Sequence, residues 1–469
     1  MERKYKRLAK NSFWTLLGNA GSKMLGFLLL PLYTRWLGTA GFGESDLVTT
    51  YSSFLVCIMT LCLSDAIFVF TKKESETEKK SYFSTTLAFV FIVLGVWAAV
   101  WYLLDYFVAI KNIQNSFSDN LWYIYFIVVS SFFQAFSQQF ILSIEKIKVY
   151  SMTGIVHTLV TFVFSYLMIS SMGVRGYILS LIFANLLTGC YSFFFSQSYR
   201  YLSIECIEWR KVKSILEYSI PLIPNTIMWW LVGALNRPVM EHYLSYSDIG
   251  IFAVANRFPG VITMVFAVFS AAWNISVFEE YGKDGYDDFY KKTFKVLFFL
   301  ISLVTGVILV FSKEVIMIFA APEFIDAWKY MLVLIIGSVI SCMSGFFGTN
   351  FSVVKKSKFF FYSSVWGAGS AIVFNFILIP LFGLWGTSIS VLLSFVVVMI
   401  TRYIYSLKFL SVSLVVPILQ YIIFLTCLAL VSFYVSNVIL KISLGLFVIV
   451  VFFLFEKQLL QDIVSSLNS

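Results

Sequence analysis

Apolar runs of 18 or more residues recur from one end of this 469-residue chain to the other. At 1.5 Å per residue, each is long enough to cross a hydrocarbon core about 30 Å thick as a helix. Charged residues make up 13% of the chain and hydrophobic ones 59%, with a mean hydropathy of +0.87. A soluble domain carries about 25% charged residues, so this chain lacks the polar surface to sit in water. No polar stretch is long enough to form a soluble domain. The expected fold class is therefore an all-α integral membrane protein.

The runs predict about fourteen transmembrane helices, over 11–34, 44–70, 82–104, 121–142, 150–171, 176–198, 214–237, 247–276, 293–312, 329–352, 359–380, 384–407, 413–436 and 438–455. Residues 1–30 start basic, but the apolar stretch continues to Pro31 with no small-residue cleavage site, so a retained first helix is expected. The net charge of +9 does not point to nucleic acid, because the charges lie in short clusters between apolar runs. Of the 34 lysines and arginines, 25 fall on the side holding the N-terminus, 7 on the other, and Lys23 and Arg257 within the spans. Positive residues favour the cytoplasmic side, so both termini are expected to be cytoplasmic.

The sequence also repeats. At an offset of 207, Gly26, Leu28, Pro31, Leu37 and Gly43 fall on Gly233, Leu235, Pro238, Leu244 and Gly250. At an offset of 210, Lys146, Lys148, Gly173, Gly176 and Ser180 fall on Lys356, Lys358, Gly383, Gly386 and Ser390. Glycine and proline matches carry weight because each fixes backbone geometry. An even number of helices separates corresponding points, which gives parallel repeats with a site expected between them. The expected organisation is a six-helix bundle over 1–200, a cytoplasmic linker over 201–213 and a second six-helix bundle over 214–408. Two extra helices and a tail, 409–469, lie outside the repeat.

Catalytic constellations do not emerge. Two histidines, His157 and His242, come without an HExxH, GxSxG or phosphate-loop motif, and the six cysteines show no CxxC pairing. No enzyme activity, metal or cofactor is expected. The positive signal is polar stripes inside the spans. Asn11, Thr15, Asn19, Ser22 and Gly26 line one face of the first, and Asp46, Thr50, Ser53, Cys57, Thr60 and Ser64 one face of the second. Ser130, Gln134, Ser137 and Gln138 follow in the fourth, with Thr153, His157 and Thr161 in the fifth. Small polar residues also serve close helix packing, but the stripes together are expected to line a central cavity.

Lys23 and Arg257 stand apart, because a mid-membrane charge costs at least about 2.5–3.5 kcal/mol and marks function by default. Lys23 lies some twelve residues into its span, about 18 Å, which is hard to snorkel from. Arg257 occupies the repeat position of Thr50. Arg35 and Arg237, beside Pro31 and Pro238, are candidates for an outer gate or for interface anchors. His157, Asp46 and Asp65 are the candidate ion-coupling residues, His157 because imidazole titrates near neutral pH.

The opening NSFWTLLGNAGSKMLGFLLLPLYTRWLGTAGFGESDL resembles the start of Wzx-type polysaccharide flippases, as YSIPLIPNTIMWWLVGALNRPVMEHYLSYSDIGIFAVANRF and ILIPLFGLWGTSISVLLS resemble later segments of that family. The family often has an acidic residue before a basic one at the end of its seventh helix, where this chain has Asn236 and Arg237. The resemblance implies the multidrug/oligosaccharidyl-lipid/polysaccharide superfamily, with two six-helix bundles around a cavity open alternately to each face. It implies a substrate too, an undecaprenyl-diphosphate-linked oligosaccharide carried to the outer leaflet of a bacterial plasma membrane for capsule or O-antigen export. Lys23, Arg257, Arg35, Arg237, Asn19, Gln134 and Gln138 are then the candidate substrate-binding residues. H⁺ or Na⁺ is the candidate coupling ion, and a polysaccharide polymerase a candidate partner. A lipid II flippase of the MurJ type and a multidrug antiporter are the alternatives of the same fold; a membrane polymerase or ligase is the alternative from another class.

Overall fold

A computed structural model describes residue 27 and residues 29–456. Among them the chain is helical, with no strand. It divides into two compact units, Met1–Trp230 and Leu231–Ser469.

In the first unit, α1 (Leu30–Met59) is interrupted at Gly38, where φ 64° and ψ −177° leave the helical region. It is followed, across a 50° bend, by α2 (Leu63–Thr71). Leu61 and Cys62, at the bend, both have φ 53°. α3 (Glu76–Lys111) starts from Ser75, whose hydroxyl accepts the Glu78 N–H, with Glu76 and Glu78 in the first turn and Lys111 in the last. These charges complement the helix dipole at each end. α4 (Leu121–Ser143), α5 (Ile147–Met172) and α6 (Val174–Phe195) complete the long helices, and α7 (Arg210–Ser219) follows. Phe83, Phe132, Phe136 and Phe140 form the core of this unit with Leu63, Ile67 and Ile215.

The unit boundary falls within α8 (Leu222–Ala234). The second unit then holds α9 (Asn236–Tyr243), α10 (Tyr246–Ala255), α11 (Pro259–Glu280), α12 (Tyr286–Val310) and α13 (Ser312–Phe319). α14 (Ala327–Val353), α15 (Lys358–Ser406), α16 (Val415–Tyr434) and α17 (Val438–Phe455) follow. Trp273, Phe294, Phe298, Phe346 and Tyr290 stack into its core, with Trp273 and Phe346 4.6 Å apart.

Large apolar side chains stay exposed along whole faces, such as Phe91, Val96, Leu103 and Tyr106 on α3 and Leu446, Phe447, Val450 and Leu454 on α17. Faces of this kind belong against lipid, and the chain is a multi-pass membrane protein. Among the described residues ten helices are long and apolar enough to cross a membrane, eleven if the bent α1–α2 pair is one span. Among the described residues the count is below the expected fourteen or so for three reasons. Span 11–34 lies mostly outside the described residues. Span 214–237 arrives as α7, α8 and α9, none of them 18 residues long. Spans 359–380 and 384–407 join in α15, whose 49 residues exceed what one crossing needs. Gly383, at φ 57° and ψ −128°, breaks α15 into two runs.

Segment 201–213, expected as a linker, is fastened to the first unit. Ser84 Oγ donates to the Tyr201 carbonyl at 2.9 Å, the Ser203 N–H donates back to Ser84 Oγ, and the Glu208 N–H donates to Thr85 Oγ1. Lys211 Nζ bridges Glu78 at 2.8 Å and Glu208 at 3.0 Å.

Candidate functional site

Polar side chains within apolar helices must find partners nearby, and in the first unit they do. Asn185, on α6, is 8% exposed and joins three helices. Its Nδ2 donates to Ser131 Oγ at 3.0 Å and Ser130 Oγ at 3.3 Å, both on α4. Its Oδ1 lies 3.1 Å from Nε2 of His157 on α5. A second set links α1, α5 and α6, with Tyr33, Ser165 and Ser180 hydroxyls 3.2 and 2.9 Å apart in sequence. The structure thus brings His157 together with Ser130 of the predicted fourth-span stripe through Asn185, a residue the stripes did not include. Its signal was available: an amide amid LSLIFANLLTG is costly there unless hydrogen-bonded.

The remaining stripe residues are handled more locally. Thr60 donates to the Val56 carbonyl, Ser53 to Thr50 and Thr161 to His157 within their own helices. Such back-bonding satisfies a hydroxyl without water. Trp230 meets the α1 stripe directly, its Nε1 donating to Ser53 Oγ at 3.1 Å while its ring lies 4.6 Å from that of Phe54. Gln134 and Gln138 are half-buried on α4, and Asp46 is half-buried on α1. Arg35 and Asp65 are exposed, the latter in the first turn of α2. Asn19 and Lys23 lie outside the described residues.

In the second unit Arg237 is only 6% exposed and turned into its own unit. Its Nη1 donates to the Gly233 carbonyl at 2.7 Å and to Asn236 Oδ1 at 2.8 Å, and its guanidinium lies 5.0 Å from the Phe252 ring centre. The asparagine standing where the resemblance implies an acid therefore supplies a neutral acceptor. Arg257 is exposed, in the break between α10 and α11. Its carbonyl accepts the Gly260 N–H at 3.1 Å. Two cations outside the sequence candidates are buried as well. Arg402 donates to Ser363 Oγ and the Ser344 carbonyl at 3.2 Å each. Lys441, 3% exposed, holds Glu314 at 2.7 and 3.0 Å.

These polar groups sit in a frame that known proteins share. The family described as polysaccharide biosynthesis protein matches residues 8–274, more than half of the chain. The chain belongs to that family. The MatE family also matches, over residues 221–377. A curated relative, Lsg locus putative protein 1 of Haemophilus influenzae, is 26% identical over 277 residues, or 57% of this chain. The chain spans 65% of that relative's length. Among solved structures, the lipid II flippase MurJ in an inward closed conformation superposes with a TM-score of 0.73 at 14% identity, covering 95% of this chain and 99% of that one. An inward-facing multidrug resistance MATE family transporter of the MOP superfamily gives 0.62 at 13% identity, covering 83% and 97%. The polysaccharide biosynthesis family member described here thus has the fold of MOP superfamily transporters. Its family and structural neighbours are transporters and flippases rather than enzymes.

Proposed function

We propose that this protein moves a polyprenyl-diphosphate-linked oligosaccharide from the inner to the outer leaflet of a bacterial plasma membrane by alternating access. The family match over residues 8–274 carries this reading. In it, both termini are cytoplasmic, and the undecaprenyl-linked product feeds a capsule or O-antigen polymerase.

The chemistry of the candidate cations supports it. A diphosphate leaving water needs compensating charge, which Lys23 and Arg257 supply as an ammonium point charge and a planar guanidinium. Arg257 stands beside the start of α11, a 22-residue helix whose positive dipole end favours an anion. With the cytoplasm negative, moving two negative charges outward is downhill by about 4.6 kcal/mol per 100 mV.

The test is direct. Proteoliposomes holding the purified protein and a fluorescent polyprenyl-diphosphate oligosaccharide should expose the glycan to an impermeant quencher at a protein-dependent rate. Movement of lipid II or of an organic cation in its place would overturn the substrate assignment. The lipid II alternative draws support from the 0.73 superposition on MurJ, and it needs the same diphosphate chemistry.

A further inference from the structure

We propose that His157, held by Asn185, Ser130 and Ser131, is a proton-binding site of this transporter, with Nδ1 as the atom that gains and loses the proton. This rests on the transport reading above and names the ion that the reading leaves open.

The hydrogen-bond directions decide which nitrogen titrates. Ser130 Oγ donates its own hydrogen to the Ile127 carbonyl at 3.0 Å, so toward Asn185 it offers only lone pairs. The amide must therefore present Nδ2 to the serines, at 3.3 and 3.0 Å, and Oδ1 to the imidazole at 3.1 Å. Against that oxygen Nε2 carries a hydrogen in both the neutral and the charged ring. The second proton then binds at Nδ1, and it does so without rearranging the network. An amide oxygen accepts from both imidazole and imidazolium, more strongly from the latter, which suits a group that must cycle.

The surroundings fit a proton better than a metal cation. α4 carries no Asp, Glu, Lys or Arg, α6 carries Arg175 near its start, and α5 itself adds Lys148. α1, also packed against α5, brings Arg35, Glu44 and Asp46. Among the described residues none of these is hydrogen-bonded to the imidazole, so its charge state follows access to water rather than an ion pair. A sodium ion would need several oxygen ligands, and the serine and asparagine groups here are spent on one another.

The repeat shows that the fold does not demand this cluster. At the offset of 210, His157 falls on Gly367, Asn185 on Phe395 and Ser130 on Ile340. In the second unit the space beside Gly367 is filled by Val398. Packing at that position therefore needs neither histidine nor amide, and of the cluster only Ser131 keeps its residue type, at Ser341.

The chain has two histidines, and His242 is exposed. A His242→Gln protein, labelled with ¹⁵N-histidine in lipid nanodiscs, therefore reports His157 alone. Nε2 should stay protonated from about pH 5 to about pH 9 while Nδ1 gains its hydrogen within that window. Asn185→Ala should mix the two neutral tautomers. A neutral ring protonated at Nδ1, or no titration in the window, would overturn the proposal. In proteoliposomes with the fluorescent oligosaccharide, a transmembrane pH difference should change the flipping rate by up to about tenfold per unit, the limit for one coupled proton. His157→Gln should remove that dependence while leaving a rate at zero gradient, and Asn185→Ala should shift its midpoint. A pH response that survives His157→Gln, or a sodium response in its place, would overturn the assignment. A parent protein that moves no oligosaccharide would sink the substrate reading, and the nitrogen spectrum would still decide the proton site.

Discussion

The two units agree where the backbone is constrained and differ where side chains carry charge. Gly173 and Gly383, one repeat apart, adopt φ 56° and 57° with ψ −128° in both cases. Glu145 and Lys355 share positive φ values of 60° and 55° at the preceding turn. The Lys146 and Lys356 N–H groups donate to equivalent carbonyls, those of Ile141 and Phe351. Their second helices diverge. The α1–α2 bend falls at Thr60–Cys62, whereas α10 and α11 part at Asn256–Phe258, which corresponds to the unbroken stretch 49–51 of α1. A duplicated scaffold thus preserves its turns, because few sequences satisfy them, while its helix interiors are free to specialise.

The sharpest way to break this comparison is to remove the charges that each half holds without a repeat partner. Lys23 corresponds to Trp230 and Arg257 to Thr50. Lys23→Ala or Arg257→Ala should lower flipping at least about a hundredfold, since a buried, uncompensated phosphate costs roughly 3–5 kcal/mol. Arg257→Lys should recover only part of it. Unchanged flipping by a stably inserted double variant would make both cations structural.

Next in size is a pair in the second unit that ties the last described helix to α13. Lys441 on α17 is 3% exposed and Glu314 on α13 is 31% exposed. Glu314→Gln should destabilise the protein by about 2–3 kcal/mol, less than a fully buried pair because the glutamate keeps some solvent. Chemical denaturation of the detergent-solubilised protein would show it. A Glu314→Met, Lys441→Met double variant should recover most of the loss, and one no more stable than Glu314→Gln would contradict the uncompensated-charge account.

Gly176 and Gly386 test the shared scaffold more gently. A Cβ at either would run into the carbonyl of the residue eight positions earlier, Met168 or Leu378. Gly176→Ala and Gly386→Ala should each cost about 1–3 kcal/mol, the range for overpacking. Equal losses sharpen the repeat; a silent change at one would break it.

The turns at Gly173 and Gly383 were legible in the sequence because glycine readily adopts their positive φ, and a match at fixed offset needs no structure to see. Span ends were legible too: 121–142 became Leu121–Ser143, and 438–455 became Val438–Phe455. The breaks at Thr60–Cys62 and after Ser219 were not, because hydropathy averaged over a window is blind to one or two residues of altered dihedral angle. The pairing of Lys441 was not legible either, because its partner Glu314 lies 127 residues away. Asn185 escaped for a different reason. A stripe is found by periodicity on one helix, whereas this network is built from single residues on three.

The smallest effect is expected at the fastening of segment 201–213 to the first unit. Hydrogen bonds from Lys211 and Ser81 hold the Glu208 carboxylate below its usual range. Burial opposes the charge of Lys211, yet its bonds to Glu78 and Glu208 raise its pKa overall. Burial, aided by Glu76, pushes the Tyr201 hydroxyl up to about 12. The depressed glutamate contributes stability above its ordinary value of about 4.3, lost as pH falls through the lower folded value. The raised lysine contributes below about 10.4 and loses its effect as pH rises through the higher folded value. The fastening should hold across neutral pH and loosen only beyond those limits. Because both glutamates that Lys211 pairs with are exposed to solvent, Lys211→Ala should cost less than about 1 kcal/mol globally. It should speed amide exchange locally, at Ser203 and Glu208, whose N–H groups bond to Ser84 and Thr85. Exchange at these two amides that is unchanged in Lys211→Ala would show that the serine and threonine hydroxyls hold the segment without the ion pairs.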